Sequence, residues 1–337
     1  MRSDITVVQE TTARGARSRS PYLWRVAAGF KLTRRGLTLR AAAVKRWAVS
    51  TVRDIVAAEL EEPVDPRVAE MAAAVAAQHN AASRAVLFYG SCLREKQLEG
   101  LMLDFYLIVS DYRAAYPRRW LAAANALIPP NVFPFALGGL SAKYAVLSEA
   151  DFARECSAAA DSVSVWARFA QPARLVWAAD DAARARATDA VAEAAPTLFA
   201  LTRPALPPQD REDPLTVFRE GFRLTYGAEI RAERKNRPGS IVDADAERYR
   251  RIGAAVLADP PADRPGSWKW RQRRGKALTV ARLAKASFTF AGGVDYLAWK
   301  ISRHSGVPIE IRPWQRRWPL LAALTLLPRL MKRGAIR

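Results

Sequence analysis

Histidine and cysteine are almost missing from this chain. His79, His304, Cys92 and Cys156 are the only ones in 337 residues. Two widely separated cysteines build no disulfide framework and lack zinc-ligand spacing, and two histidines cannot alone make a histidine-based metal site. A reducing compartment is the expectation. Cys92 stands beside Gly90 and Ser91, but neither histidine is near it in sequence, so a small buried thiol is the simpler role. Long apolar runs are missing too: none reaches the roughly 18–20 residues that a membrane-spanning helix needs. The polar start, with Asp4 and Glu10, is not that of a secretory signal. Acidic residues are scarce, 33 against 53 Lys and Arg, which leaves a formal net charge of +20. So basic a chain calls for an anionic partner: nucleic acid, anionic lipid or a triphosphate. A solvated arginine-rich surface accounts for part of the excess.

What is present gathers around two short stretches. Val86-Leu87-Phe88-Tyr89 reads as a strand and runs straight into Gly90-Ser91. Glycine there lets the backbone turn tightly and approach a phosphate, and the serine adds a hydroxyl. Met102 to Val109 reads as a second strand with one carboxylate, Asp104, in an otherwise apolar run. A carboxylate in such a run wants a cation, a metal or a place at a cleft. Gly-Ser closing one strand and Asp on the next is how polymerase-β-type nucleotidyltransferases hold a nucleoside triphosphate with Mg²⁺. By itself the pattern is also met by an ordinary turn and a satisfied buried aspartate.

The order of further motifs adds to it. Tyr89-Gly90-Ser91, Leu103-Asp104-Phe105 and Lys143-Tyr144-Ala145-Val146-Leu147-Ser148 resemble signatures of the mitochondrial translocator assembly and maintenance protein 41 family. Trp166 to Pro172, with Arg168 and Pro172 aligned, and Lys300-Ile301-Ser302-Arg303-His304 are similar to two further segments of that family. The likeness runs from about Arg84 to about Gly306. That family makes CDP-diacylglycerol from CTP and phosphatidic acid. The resemblance implies an α+β chain: a polymerase-β-type nucleotidyltransferase domain, a mostly helical, winged-helix-like domain and a C-terminal amphipathic helix. It implies that Gly90 and Ser91 hold phosphates, that Asp104 binds Mg²⁺, and that Lys143 and Arg168 offset negative charge. Polymerase-β-type sites usually show Asp-x-Asp, but position 106 is Tyr, a departure the family shares. The second metal ligand is therefore open, with Asp111 and Glu149 as candidates. Ser148-Glu149-Ala150-Asp151 also reads as a helix N-cap with acids in the first turn, which weakens Glu149.

The rest of the chain divides as follows. Residues 1–60 are expected to form a basic arm and an Arg- and Trp-bearing amphipathic helix that meets a membrane, packs on the domain or, being rich in Arg and poor in acid, is a mitochondrial-type presequence. Residues 61–200 are the nucleotidyltransferase domain, with a helix over Val68–Ala82, a polar connection over Ser91–Gly100 and a helix-like segment over Tyr112–Leu127. Further strands are expected over Val132–Leu137, Ala142–Leu147 and Leu175–Trp177. Arg94 and Lys96 are either triphosphate contacts or surface charges. Thr202 to Pro214 is the boundary to a helical domain, 201–306. Within it, Trp268 to Lys276 is the densest basic-aromatic patch, suited to bases or to a lipid interface, and Lys276–Phe290 is a helix. In 307–337, Trp and Arg, then leucines, then Arg and Lys suit a helix lying in an anionic membrane interface.

The expected activity is phosphatidate cytidylyltransferase, peripheral on the cytoplasmic face of a bacterial inner membrane or on the matrix side of a mitochondrial one. The Ala- and Arg-rich composition favours the bacterium. The partners are CTP, phosphatidic acid and an anionic membrane surface, with no stable nucleic-acid partner. One alternative is nucleotide transfer to a small molecule, RNA or protein. The other is a non-catalytic, basic nucleic-acid-binding protein.

Overall fold

The computed structural model describes residues 50–95, 98–228, 241–289 and 311–317. These belong to one unit, which spans residues 48–337. The strands are β1 (Ser83–Tyr89), β2 (Met102–Val109), β3 (Asn131–Leu137), β4 (Leu140–Ser148) and β5 (Ala173–Ala178). In chain order the helices are α1 (Val52–Leu60), α2 (Pro66–Ala77), α3 (Ser91–Glu95), α4 (Tyr112–Ala115), α5 (Arg119–Leu127), α6 (Glu149–Cys156), α7 (Trp166–Phe169), α8 (Asp181–Ala192), α9 (Ala194–Thr202), α10 (Pro214–Tyr226), α11 (Ala246–Ala258), α12 (Trp268–Thr289) and α13 (Pro313–Arg317). The chain is α+β, as the pattern of apolar runs indicates.

The strands form one mixed sheet in the order β3-β4-β2-β1-β5. Neighbours β2 and β4 run parallel, and the other pairs run antiparallel. Side chains alternate between two cores. Leu103, Phe105, Leu107 and Val109 of β2 enter one core, with α2 and part of α5. Tyr106 and Ile108 enter the other. Burial on both faces explains why β2 is a near-continuous apolar run rather than a polar alternation. The second core joins Ile55, Val56 and Leu60 of α1 to Phe218, Phe222, Tyr249, Ile252 and Val256 of α10 and α11. Residues on both sides of position 60 and of position 200 share it.

Helix starts follow local capping chemistry. Asp65 before Pro66, Ser148, Asp180 and Asp213 before Pro214 each accept a first-turn backbone N–H. Four boundaries differ from the sequence pattern. The helix expected over Val68–Ala82 is α2 at Pro66–Ala77, followed by a 3-10 turn at Asn80–Ala82. Ser91–Gly100 opens with α3 rather than being connection throughout. Tyr112–Leu127 splits into α4 and α5 because Tyr116 takes an extended conformation before Pro117. Helix α12 starts at Trp268, not Lys276, since the Ser267 hydroxyl accepts from the Trp270 N–H at 3.3 Å and the Trp268 ring N–H donates to the Leu201 carbonyl at 3.2 Å. Much of the basic-aromatic patch is therefore helix. The arm at 1–49, Lys96, the charge run at 229–240, the 300–306 motif and the leucine-rich stretch at 318–337 lie outside the described residues. No helix among the described residues is long and apolar enough to cross a membrane.

His79 links α2 to the sheet. It is buried, with Nδ1 2.9 Å from the Ala115 carbonyl and Nε2 3.3 Å from the Tyr144 hydroxyl. The carbonyl can only accept, so Nδ1 carries a proton and the neutral ring satisfies both contacts. Burial lowers its pKa, against a smaller upward pull from the Ala115 carbonyl. The unfolded chain then binds the proton more readily than the folded one. Stability is full above the ordinary histidine value of about 6.5 and falls as pH drops below it. Thermal unfolding of the parent should show this loss as pH falls below about 6.5, and His79→Gln should flatten it. Equal pH slopes for the two chains would contradict the assignment.

Candidate active site

The strand register assembles the site. Tyr89, the last residue of β1, pairs with Ala173 on one side and Asp104 on the other. Asp104 pairs with Lys143, and Lys143 with Pro134. One row thus crosses all five strands at a single end of the sheet. Along β2, Asp104 shares its face with Tyr106 and Ile108, and along β4, Lys143 shares its face with Ala145 and Leu147. The two charges form the polar end of a face that is otherwise apolar core.

Gly90 follows directly. Its φ is +98°, a conformation L side chains rarely adopt, and a Cβ placed there would lie 2.9 Å from Asp104 Oδ2. The Asp104 carboxylate therefore rests against the backbone of the Gly-Ser turn, and any side chain at position 90 displaces it. Asp104 and Lys143 form an ion pair, with side chains 20% and 24% exposed. Oδ1 of Asp104 is buried and accepts no well-aligned hydrogen bond. The Lys143 ammonium is its charge partner, close but not in hydrogen-bonding geometry. Ser91 is half-buried and opens α3.

Arg168 lies on α7, whose Phe169 packs on aromatic side chains of β1 and β2. Phe169, its neighbour on α7, packs on Tyr89 at 5.8 Å and on Tyr106 at 5.3 Å between ring centroids. The half-buried Arg168 guanidinium donates to the Ser164 carbonyl one turn back. So Gly90, Ser91, Asp104 and Lys143 gather at one sheet end. Arg168 stands on α7 beside Phe169, with its guanidinium held at the Ser164 carbonyl. Side-chain placement of Arg94 and Lys96 falls outside the described residues. Cys92 is buried, and its thiol donates to the Met102 carbonyl at 3.4 Å, a packing role.

The two open candidates for a second carboxylate do not join Asp104. Asp111 follows the far end of β2, about 20 Å away at about 3.3 Å per residue. There it caps α4, accepting from the Arg113 and Ala114 N–H groups at 2.8 and 2.9 Å. Glu149 follows the far end of β4, in the first turn of α6, and pairs with Arg84 and Arg186. A cleft of about 430 Å³ between α6 and α8 also lies at that far end, beside Ile108 and Glu149. Among the described residues no group of three or more His, Cys, Asp or Glu could hold a metal ion. A resident, fully protein-ligated metal does not fit. Asp104, whose Oδ1 is the ion-pair partner of the Lys143 ammonium, is a single carboxylate, and Mg²⁺ is commonly held by one or two carboxylates together with substrate phosphates.

Tyr89 belongs to the Tyr-Gly-Ser motif, whereas a second contributor, a buried ion pair, has no signal in the local sequence. Tyr89 supplies an aromatic floor between Tyr106 and Phe169. Glu59 and Arg248, 189 positions apart, form a buried pair behind the row. Glu59 accepts the Ala173 N–H at 3.3 Å, and Arg248 donates to the Ala170 carbonyl at 3.1 Å. Burial is the largest influence and opposes the Arg248 charge, but Glu59, Tyr249 and Asp245 together outweigh it and raise the guanidinium pKa. Together they hold the 170–173 segment that links α7 to the row.

No protein-family model matches the chain, and no curated protein matches it.

Proposed function

We propose that the protein is a CTP:phosphatidate cytidylyltransferase that works at a membrane surface. The observation that carries this reading is the juxtaposition of a positive-φ glycine turn, one strand carboxylate and one lysine. In the proposed reaction a phosphate oxygen of phosphatidic acid attacks the α-phosphorus of CTP. The new P–O bond forms as the α–β bridging bond breaks, and pyrophosphate leaves with the electron pair. The protein's work in such a transfer is positioning and charge neutralisation. Gly90 lets the backbone approach the β- and γ-phosphates, and the Ser91 hydroxyl donates to them. Asp104 would hold Mg²⁺, which would supply neutralisation of the triphosphate's charge. Lys143 orients the Asp104 carboxylate and offers its ammonium to the triphosphate. Arg168 leaves the Ser164 carbonyl to meet phosphate oxygens, for which its forked donors suit.

The same reading extends to the rest of the chain. The helices from α10 onward would be the winged-helix-like part, and the segment at 307–337 an amphipathic anchor. The protein would sit on the cytoplasmic face of a bacterial inner membrane, with no stable nucleic-acid partner.

The test is conversion of labelled CTP to CDP-diacylglycerol by the purified chain, with phosphatidic acid in anionic vesicles and Mg²⁺. Lipid-linked label is the expected result. CTP binding without transfer would turn the search to another acceptor, such as a small molecule, RNA or protein. No CTP binding would reduce Gly90 and Asp104 to structural roles.

A further inference from the structure

Helix α5 carries a row of side chains that the fold leaves uncovered. Trp120 is 47% exposed and Leu127 81%, and Ala123 between them is exposed as well. The spacing i, i+3, i+7 puts all three on one side of the helix. The opposite side is spoken for, with Ala122 and Asn125 buried. Arginines stand at the start of this face: Arg118 and Arg119, with Arg113 on α4 just before. From Tyr112 to Pro130 the chain has no Asp or Glu. No carboxylate among the described residues pairs with Arg113, Arg118 or Arg119.

The C-terminal end of α5 meets a second helix of the same character. Arg282 of α12 donates to the Pro129 carbonyl at 2.7 Å. Lys285 donates to the Pro130 carbonyl at 2.8 Å and also to Ile128. Helix α12 likewise contains no Asp or Glu over its whole length. Its Lys269, Arg273, Lys276 and Val280 are exposed along one line, at spacings of four, three and four. Two acid-free helices, each with exposed cations and exposed apolar groups, are thus joined at residues 128–130.

We propose that the exposed face of α5, with Trp120 and Leu127 at its centre and Arg118 and Arg119 at its rim, docks on an anionic phospholipid bilayer. The cations of α12 flank the contact. A bilayer interface satisfies both halves of this surface: tryptophan and leucine enter the headgroup and acyl boundary, and arginines meet lipid phosphates. A nucleic acid would engage the arginines and gives the most exposed group, Leu127, nothing. On α12 Arg274 pairs with Asp161, but Arg118 and Arg119 beside the apolar row have no carboxylate partner among the described residues, and such cations complement a uniformly anionic sheet. This surface is distinct from the terminal segments at which the sequence pattern looks for membrane contact. It rests on the cytidylyltransferase reading for its purpose, presenting a diacyl substrate, but not for its geometry.

The experiment is flotation of the full chain with vesicles of phosphatidylglycerol and phosphatidylcholine, beside vesicles of phosphatidylcholine alone. The parent should float with the first and not with the second. Arg118→Ser/Arg119→Ser should weaken binding by about 30-fold, from the usual worth of a cation near an anionic surface. Trp120→Ser/Leu127→Ser should weaken it by about tenfold or more. These sites are exposed, and an unchanged unfolding temperature checks that both variants fold. Parent-like flotation of both variants, no flotation of the parent, or a parent dimer that the Trp120/Leu127 variant converts to monomer would each overturn the proposal. CMP transfer to a dispersed short-chain phosphatidic acid separates the two readings. Both variants should keep that transfer and lose it only on vesicles. A parent that floats but transfers nothing to either lipid defeats the cytidylyltransferase reading and leaves the docking surface standing.

Discussion

On the proposed reading, Asp104→Asn should end CMP transfer while leaving the chain folded. The substitution keeps shape and hydrogen-bonding capacity but removes the only carboxylate in the row that crosses the sheet at Gly90. No neighbour can replace it, because Asp111 and Glu149 lie at the far ends of β2 and β4. A charge that organises a metal on a triphosphate is worth several kcal/mol in the transition state, so turnover should fall by about 10³-fold or more. Stability should change far less. The Asp104–Lys143 pair is about one-fifth exposed, and the Lys143 ammonium can turn towards water when its partner is lost. The check is a rate measurement with labelled CTP beside a urea unfolding curve, with Glu149→Gln as a control expected to transfer at the parental rate. Parental turnover in Asp104→Asn would remove the metal role. Loss of turnover together with collapse of the fold would make Asp104 a structural residue instead.

Arg248→Met should destabilise the whole unit by about 3–5 kcal/mol, the usual cost of removing one partner from a buried ion pair. Both side chains are buried, Arg248 at 6% and Glu59 at 8% exposure. The substitution strands the Glu59 carboxylate among α1, β5 and α11 and takes the donor from the Ala170 carbonyl. Removing both charges is less harmful, because no uncompensated ion remains. Glu59→Leu/Arg248→Met should therefore recover part of the loss. It should not recover all of it, since the Ala173 N–H and the Ala170 carbonyl then lose their side-chain partners. Urea midpoints of parent, single and double variants decide the matter. A single variant within about 1 kcal/mol of the parent, or a double variant worse than the single, would show that the pair does not act as a unit.

Much of the scaffold was legible in local pattern. Apolar runs over Val86–Tyr89, Met102–Val109, Val132–Leu137, Ala142–Leu147 and Leu175–Trp177 all lie in strands. Strand and helix periodicity express burial, and burial on these elements is continuous along the chain. Boundaries were less legible. Helix α3 is only five residues long, too short to show a period. The start of α12 depends on a serine cap and on where Trp268 finds the Leu201 carbonyl, 67 positions away. The need for glycine at position 90 was foreseeable as a tight turn. That its missing side chain makes room for Asp104 was not.

By itself the sequence determined the α+β class, the strands, the helix caps, the excess of positive charge and a lone carboxylate in an apolar strand. These are properties of neighbours in the chain, and local periodicity and side-chain chemistry are enough to read them. Only the tertiary structure decided that Asp104 and Lys143 pair across a parallel register, that Asp111 and Glu149 stand at the opposite sheet end, and that Glu59 meets Arg248. It also decided which face of α5 is left uncovered. The physical reason is common to all four. Register, strand order and burial come from packing distant segments into shared cores, and those contacts leave no period in the residues that make them.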